Sequence, residues 1–374
     1  MSPMTAIKEN ALQSLLRHEG PVCSVYFRLE ARPEQEDEAQ QRWHALARSL
    51  SNQRVDTATI EALGDRVRAA LPGSGVLAAF AAEGEILFAT ELPGADLADT
   101  AIRTALPRLL PVLEWRQNHP AHVLALVDRA GADLETYPDG GTEALRQTIT
   151  GADDEIVRNA PGGMSQGRFQ NRAEDSWEHN AARVATALSR AVGRVSAHLV
   201  LLAGDVRALQ YLTKHLPKAV RHQVTIRTVS GGRGHDGAGT LRSAQVEAAT
   251  LAAAAEETSE TLRNLAEERR PGGHAVEGMR ATLTALAHRQ VSTLLVTQDG
   301  PDGRTAWFGP APTDVSVRRR KALEPGGPAL DLTGAPLADV AVRAALLTGA
   351  DVRVIELGRA DAPAQGIGAL CRYS

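Results

Sequence analysis

The feature that most constrains the fold is the alternation of strand-like and helix-like patterns along the whole chain. Short apolar runs, such as residues 197–203, are typical of buried strands, whereas residues 168–195 repeat apolar positions every three or four residues, as one helix face does. A chain that alternates in this way packs helices on sheets, so we predict the α/β class. At 374 residues it exceeds one ordinary core, and we expect several domains.

Proline and glycine mark where these domains begin and end. Prolines cluster after residue 106, and Pro271 with the two following glycines stops a long alanine-rich helix. We therefore predict an N-terminal α/β domain over residues 1–117, a central domain over 118–271 and a C-terminal α/β domain over 272–374. Within them we expect a hairpin of residues 75–81 and 85–89 and a helix over 275–289.

Composition excludes several classes of protein. No apolar run approaches the roughly 18 residues that a bilayer span needs, and the charges of Lys8, Glu9 and Arg17 argue against a signal peptide. Two cysteines are too few for a disulfide scaffold and suit a reducing compartment. A net charge of −4 argues against simple binding to duplex DNA. We expect a cytoplasmic protein with no membrane or DNA partner, no cofactor and no metal site.

Two motifs suggest enzyme or nucleotide chemistry, but each lacks its usual context. Residues 232–237 match G-x-G-x-x-G, yet no acidic strand end follows about twenty residues later, so a loop is the favoured interpretation and nucleotide sensing the alternative. Residues 163–167 match G-x-S-x-G, but the residues before Ser165 are polar and contain proline rather than forming a buried strand. A serine esterase using Ser165, with Asp205 and His235 as candidate partners, stays open.

Arginines after residue 167 and near residue 320 are candidate phosphate ligands. Arg168 and Arg172 are four residues apart, as are Gln166 and Gln170, so each pair shares a helix face. Arginine in a first helical turn interacts unfavourably with the helix dipole, and a bound phosphate would compensate for this. The alternative interpretation is a helix start whose charges are solvated. The densest basic run is either a solvated loop or a second RNA contact; it consists of Arg318, Arg319, Arg320 and Lys321.

Four segments, taken in their order along the chain, resemble the archaeo-eukaryotic release-factor superfamily. The resemblance is to its bacterial branch, which includes relatives of Pelota and of the hibernation factor Balon. The segments are Val-Asp-Arg-Ala-Gly-Ala-Asp at 127–133, the residues from Gly162 to Arg172, Gly-His-Ala-Val-Glu-Gly-Met at 273–279, and Gly-Ile-Gly-Ala-Leu-Cys-Arg-Tyr at 366–373. The resemblance implies a three-domain release-factor-like architecture with a ribonuclease-H-like central domain and an α/β C-terminal domain.

The same resemblance assigns a role to the loop that precedes the long central helix. In this family the loop is aimed at the ribosomal peptidyl-transferase centre, where true release factors present Gly-Gly-Gln. Here Gly162 and Gly163 are followed by Met164, whose thioether cannot orient water as an amide does. Gln166 and Gln170 are the candidate substitutes for the glutamine of Gly-Gly-Gln. Ser165 is a candidate nucleophile.

The resemblance therefore implies a ribosome-binding translation factor of the hibernation or rescue type. We expect it to occupy the A site, with residues 162–166 facing the peptidyl-transferase centre, and to leave peptidyl-tRNA uncut. Elongation factor Tu is a candidate partner. Arg168, Arg172 and the run from Arg318 to Lys321 are the candidate contacts to ribosomal RNA. Hydrolysis of peptidyl-tRNA, or of small esters, by the same loop is the alternative.

Overall fold

The structure of the chain is a computed structural model. It describes residues 9–29, 36–150, 166–233, 239–270, 272–297, 303–322 and 329–373, and for residues 166–177 it describes the backbone. Over these ranges the fold mixes helices and sheets, which confirms the predicted α/β class. None of the helices in the described ranges combines the length and the apolar character that crossing a bilayer requires.

The N-terminal segment forms an antiparallel sheet with helices against it. Its strands are paired in the order β3-β2-β1-β4. In chain order the elements are α1 (Glu9–Leu16), β1 (Val22–Leu29), α2 (Glu36–Asn52), α3 (Thr57–Ala70), β2 (Gly75–Ala82), β3 (Glu85–Leu92), β4 (Thr100–Thr104) and α4 (Leu110–Asn118). The antiparallel pairing of β2 with β3 confirms the predicted hairpin.

Strand β1 is buried on both faces, which explains why its apolar residues do not alternate with polar ones. Val25 and Phe27 lie in a core with helices α2 and α3, whereas Tyr26 belongs to a second core on the other face. Sequence analysis missed α4, because Pro111 was interpreted as punctuation. Proline is tolerated in a first helical turn, where its missing N–H has no helical acceptor to lose.

The central segment forms a five-stranded sheet with strand order β7-β6-β5-β8-β9. β5, β8 and β9 are parallel to one another, and β6 is antiparallel to both of its neighbours. In chain order the elements are β5 (His122–Asp128), β6 (Gly131–Tyr137), β7 (Leu145–Thr150), α5 (Gln166–Val195), β8 (Leu199–Gly204), α6 (Val206–His215), α7 (Lys218–Gln223), β9 (Thr225–Thr228) and α8 (Gly239–Glu267).

Both faces of this central sheet are covered by helices. Helix α5 contributes Val184, Leu188 and Val192 to one apolar core, which also takes residues from α6. On the other face, leucines of β5 and β8 pack against Val246 and neighbouring alanines of α8. The near-continuous apolar sequence of β5 and β8 follows from this two-sided burial.

The C-terminal segment contains a mixed sheet and two smaller antiparallel ones. Their strand orders are β10-β18-β11-β17, β13-β12-β16 and β14-β15. The elements are β10 (Ala275–Glu277), α9 (Met279–Ala287), β11 (Val291–Thr297), β12 (Thr305–Phe308), β13 (Val315–Ser316), β14 (Arg320–Ala322), β15 (Ala329–Asp331), β16 (Thr333–Pro336), α10 (Leu337–Leu347), β17 (Asp351–Ile355) and β18 (Ile367–Cys371).

Two predicted elements are corrected by the structure. The helix expected over 275–289 begins only at Met279, because Ala275–Glu277 pairs with β18 and Gly278 turns the chain with φ +82°. The segment after Tyr137, whose polar, glycine-rich sequence is typical of a loop, contains β7, whose side chains are exposed except for Ile149. An edge strand that buries so little lacks the apolar alternation by which strands are recognised.

Contacts divide the chain into two compact units. One comprises residues 1–6 and 118–256, and the other comprises residues 7–117 and 257–374. The predicted division into domains 1–117, 118–271 and 272–374 stays a prediction. In the second unit, buried Arg343 of α10 donates to the carbonyl oxygen of Leu16 in α1 at 3.4 Å and to that of Pro310 at 2.9 Å.

We predict that Gly204→Ala destabilises the central sheet by about 3 kcal/mol or more. Gly204 has φ +138°, and an added Cβ would lie well inside contact distance of the Val127 carbonyl oxygen. Gly193→Ala is the control, because this exposed position in α5 has open space; it should stabilise by about 0.5–1 kcal/mol. Denaturant unfolding followed by circular dichroism checks both, and an unchanged midpoint for Gly204→Ala would contradict the prediction.

Candidate functional site

The predicted functional loop joins the edge strand β7 to the long helix α5. Gly162, Gly163, Met164 and Ser165 lie outside the described residues. Gln166 is the first residue of α5. The remaining predicted residues of this segment occupy the first two turns of the same helix, where the backbone is described; they are Arg168, Gln170 and Arg172.

Backbone pairing fixes the point at which the chain leaves the sheet toward this loop. Thr150, the last residue of β7, pairs with Gly131 of β6. Gly131 has φ +156°, and an added Cβ would collide with the carbonyl oxygen of Ile149, so only glycine permits this close approach. The turn before Gly131 is fixed as well, because Asp128 accepts hydrogen bonds from the amides of Ala130 and Gly131 at 2.8 and 2.9 Å.

Helix α5 is attached to the same corner of the sheet by a buried amide. The Asn180 side chain donates to the carbonyl oxygen of Arg129 at 3.1 Å, at the turn between β5 and β6. Asn180 is 5% exposed, so this hydrogen bond satisfies a polar group that burial would otherwise penalise. The strand before the loop and the helix after it are thus both tied to the β5–β6 turn.

Asp205 joins the ends of the two parallel strands β5 and β8. It caps helix α6 by accepting hydrogen bonds from the amides of Arg207 and Ala208 at 2.9 and 3.1 Å. Its second oxygen accepts from Arg129 at 3.2 Å. The cap hydrogen bond from Ala208, together with the positive charge of Arg129, holds the pKa of Asp205 below its ordinary value.

Arg233 connects the loop after β9 to the β5–β6 hairpin. Its guanidinium lies 3.1 Å from an oxygen of Asp128 and 3.0 Å from one of Asp133. Burial raises the pKa of Asp133, but hydrogen bonds from Arg233 and Thr148 outweigh that effect and hold the pKa below its ordinary value. Sequence reasoning missed Arg233, because no local pattern reveals which strand ends a loop arginine will contact.

These contacts concern the G-x-G-x-x-G and G-x-S-x-G motifs, each of which lacks its usual sequence context. Arg233 lies inside the G-x-G-x-x-G segment and binds carboxylates of this chain, while residues 234–237 lie outside the described residues. Asp205, the candidate acid of a serine triad, uses its oxygens for the α6 cap and for Arg129. Ser165 and His235 lie outside the described residues, so their roles stay predictions.

The basic run near residue 320 lies in the other compact unit. Arg318 and Arg319 are exposed, and the backbone of Arg320 and Lys321 belongs to β14, which pairs with β15. Part of the run is therefore a strand of a hairpin rather than loop. Its contact with RNA stays a prediction.

A cavity of about 250 Å³ lies in this second unit, beside the start of α10. Arg304 lines it, but its guanidinium already donates to the carbonyl oxygen of Gln365. The Gln365 side chain accepts in turn from the amide of Met279 at 2.9 Å. The polar groups at this cavity therefore hold the surrounding segments together.

Comparison with known protein families finds a match for the central region. Residues 121–271 match the model of bacterial archaeo-eukaryotic release factor family 2. This region is therefore similar to the release-factor domain of the bacterial branch. The resemblance inferred from sequence is therefore confirmed, and the matched residues, which we call the release-factor region, contain both the predicted loop and all of the Arg233 contacts described above.

The full chain also has similar proteins. An uncharacterized protein of Mycobacterium tuberculosis is 28% identical over 382 residues, covering 98% of this chain and 97% of the relative. Ribosome-bound archaeal Pelota is 14% identical, with coverage of 100% and 95% and a TM-score of 0.43. An archaeal translation termination factor is 16% identical, with coverage of 98% and 97% and a TM-score of 0.23. Scores this low add nothing to the assignment.

We predict that Arg233→Met destabilises the release-factor region in a pH-dependent way. A carboxyl whose folded-state pKa is lowered contributes stability above its ordinary value of 3.8, and this contribution is lost as pH falls through the folded-state pKa. The variant should lose up to about 1 kcal/mol at neutral pH, since Asp128 and Asp133 are partly exposed. Thermal unfolding at a series of pH values measures the difference.

Arg221→Met is the control, because Arg221 is exposed on α7. It should unfold like the parent protein at every pH. A gap between Arg233→Met and the parent that stayed constant from neutral pH to below about pH 3 would contradict the ion-pair explanation.

Proposed function

We propose that the protein is a ribosome-binding translation factor that occupies the A site and leaves peptidyl-tRNA intact. Residues 162–166 would face the peptidyl-transferase centre, as a hibernation or rescue factor requires. The observation that carries the proposal is the sequence Gly162-Gly163-Met164 between β7 and α5 in a release-factor region. That is the place where the family's release factors carry Gly-Gly-Gln.

The side chain at position 164 decides between release and simple occupancy. Release of peptide requires a group that positions water against the ester, and a glutamine amide can both donate to and accept from that water. A methionine sulfur is a weak acceptor and has no donor. With Met164 at this position, the two glycines can still allow close approach, but the ester is not activated.

The scaffold around the loop supports a positioning role. The chain leaves the sheet at Thr150, which is held by Gly131, and returns in α5, which is held by Asn180. Both anchors belong to the same corner of the β5–β6 hairpin, and Asn180 lies fourteen residues along α5 from Gln166. An anchored strand and helix on either side suit a loop that has to reach a defined target.

The remaining expectations belong to the same proposal. The protein would act in the cytoplasm, with ribosomal RNA as its main contact and elongation factor Tu as a candidate partner for delivery. Arg168, Arg172 and the basic run at 318–321 are its proposed RNA contacts. No cofactor or metal is needed for a factor that binds without catalysis.

Hydrolysis by the same loop is the second candidate function. Gln166 favours it, because this residue begins α5 directly after the loop, and Gln170 lies one turn further along. An esterase based on Ser165 is less favoured, since Asp205 caps α6 and binds Arg129 instead of orienting a histidine.

We predict that the protein pellets with ribosomes and releases no peptide from peptidyl-tRNA. Pelleting should weaken as salt rises, because phosphate contacts release counterions. The assay combines sedimentation over a range of salt concentrations with release of a labelled peptide. Met164→Gln tests the residue directly: it should bind as the parent protein does and gain release activity if the loop reaches the ester.

Three variants separate the alternatives. If the parent protein releases peptide and Gln166→Ala or Gln170→Ala abolishes this activity, the protein is a hydrolase and the proposal of simple occupancy is wrong. Labelling by a fluorophosphonate probe that disappears in Ser165→Ala would support the esterase. No pelleting at low salt would overturn the proposal.

A further inference from the structure

Helix α5 carries an exposed row of basic side chains beyond the loop. His179, Arg183, Arg190 and Arg194 are all exposed, and they are separated by four, seven and four residues. We call these four residues the α5 basic row. Such spacing is that of a single helix face, since residues four and seven apart are one and two turns apart.

Helix geometry places the row on a narrow arc. At 3.6 residues per turn the four positions fall within roughly 60° of one another, and they span about 22 Å of helix length. The opposite side of the helix is the buried one, where Val184, Leu188 and Val192 pack in the core. The basic row therefore faces away from the sheet along its whole length.

Asp175 and Glu178 precede the row on its own helix, and no acidic residue lies among or after its four members. Residues 179–195 contain no aspartate or glutamate, although the chain has 45 acidic residues and a net charge of −4. The nearest acid along the helix, Glu178, pairs with Lys214 at 2.8 Å and lies 3.2 Å from His215. Among the described residues, no acidic side chain forms an ion pair with Arg183, Arg190 or Arg194.

The fold itself does not require this arrangement. Like charges four residues apart, as in Arg190 and Arg194, destabilise a helix by a few tenths of a kcal/mol. Only Arg194, in the last turn, gains from the helix dipole. An external polyanion would reverse this repulsion.

We propose that the α5 basic row binds the phosphate backbone of RNA, an inference that rests on the proposed function and extends it to residues beyond the loop. Arginine suits this partner, because its planar fork forms paired hydrogen bonds with phosphate. The other exposed residues on the face, Thr186 and Gly193, are small. The face therefore lacks the apolar side chains that a membrane surface needs and the aromatic ones on which bases stack.

Arg168 and Arg172 extend the same sequence spacing toward the loop. They are four residues apart, and His179 follows Arg172 by seven, so the pattern of four and seven continues over helix positions 168–194. Basic residues at these intervals along a helix suit contact with successive phosphates of one RNA strand. Such contact reads no base sequence, because phosphate contacts position a protein without specifying bases.

The test compares two triple variants of the full-length protein with equal changes of charge. One replaces Arg183, Arg190 and Arg194 of the row by glutamine. The control replaces three exposed arginines on other elements by glutamine; these are Arg221, Arg263 and Arg280. Glutamine keeps helix propensity, and circular dichroism with thermal unfolding confirms that both variants fold.

Binding is measured on two probes, purified ribosomes by pelleting and protein-free ribosomal RNA by fluorescence anisotropy, each over a range of salt concentrations. The row variant should bind naked RNA at least about 10-fold more weakly. The slope of its log affinity against log salt concentration should be smaller in magnitude by about two to three. The control variant should keep both the affinity and the slope of the parent protein.

The outcomes separate this inference from the proposed function. If only the row variant loses affinity for RNA, the inference about the α5 basic row is supported. This holds even if the parent protein fails to pellet with ribosomes, which would overturn the proposed function. Equal losses in both variants, or an unchanged salt slope in the row variant, overturn the inference while leaving the pelleting result intact. Lost pelleting with unchanged binding to naked RNA would assign the row to an acidic protein surface and also overturn it.

Discussion

The release-factor region depends on the parallel contact between β5 and β8. Gly204 lies so close to the Val127 carbonyl oxygen that no other residue fits, and this approach brings the ends of both strands to one edge. At that edge Asp128 and Asp205 are each held by an arginine, one from the loop after β9 and one from the β5–β6 turn. Carboxylates that end parallel strands often serve chemistry, but here they fix loops.

Sequence reasoning predicted those elements whose periodicity follows from burial. The strand-like run at residues 197–203 corresponds closely to β8, and the helical pattern over 168–195 covers most of α5, since their apolar residues repeat as a strand and a helix require. It missed β7, which buries almost nothing, and it extended a helix over Ala275–Glu277. In both places backbone pairing with a distant strand decides the structure, and no local pattern records that partner.

The candidate site was predictable only in part, for a similar reason. The loop could be proposed because Gly162, Gly163 and Met164 are consecutive in the sequence and resemble the family's Gly-Gly-Gln, and its role stays a prediction. Arg233 was not found, because it lies about a hundred residues from the carboxylates that it binds. Its partners follow from the strand order, which places the loop after β9 near the β5–β6 hairpin, and strand order is a tertiary property.

Helix α5 connects the proposed functional loop with the α5 basic row. One end begins at the loop, and the buried face formed by Val184, Leu188 and Val192 packs the C-terminal half of the helix against the sheet. A basic row on such a helix is held in a fixed direction relative to the loop base, because both belong to one packed body. Phosphate contacts along the row would therefore orient the loop as well as add affinity. A factor that only occupies a site needs this orientation as much as a catalyst does, since a misplaced tip would neither block the centre nor be recognised by it.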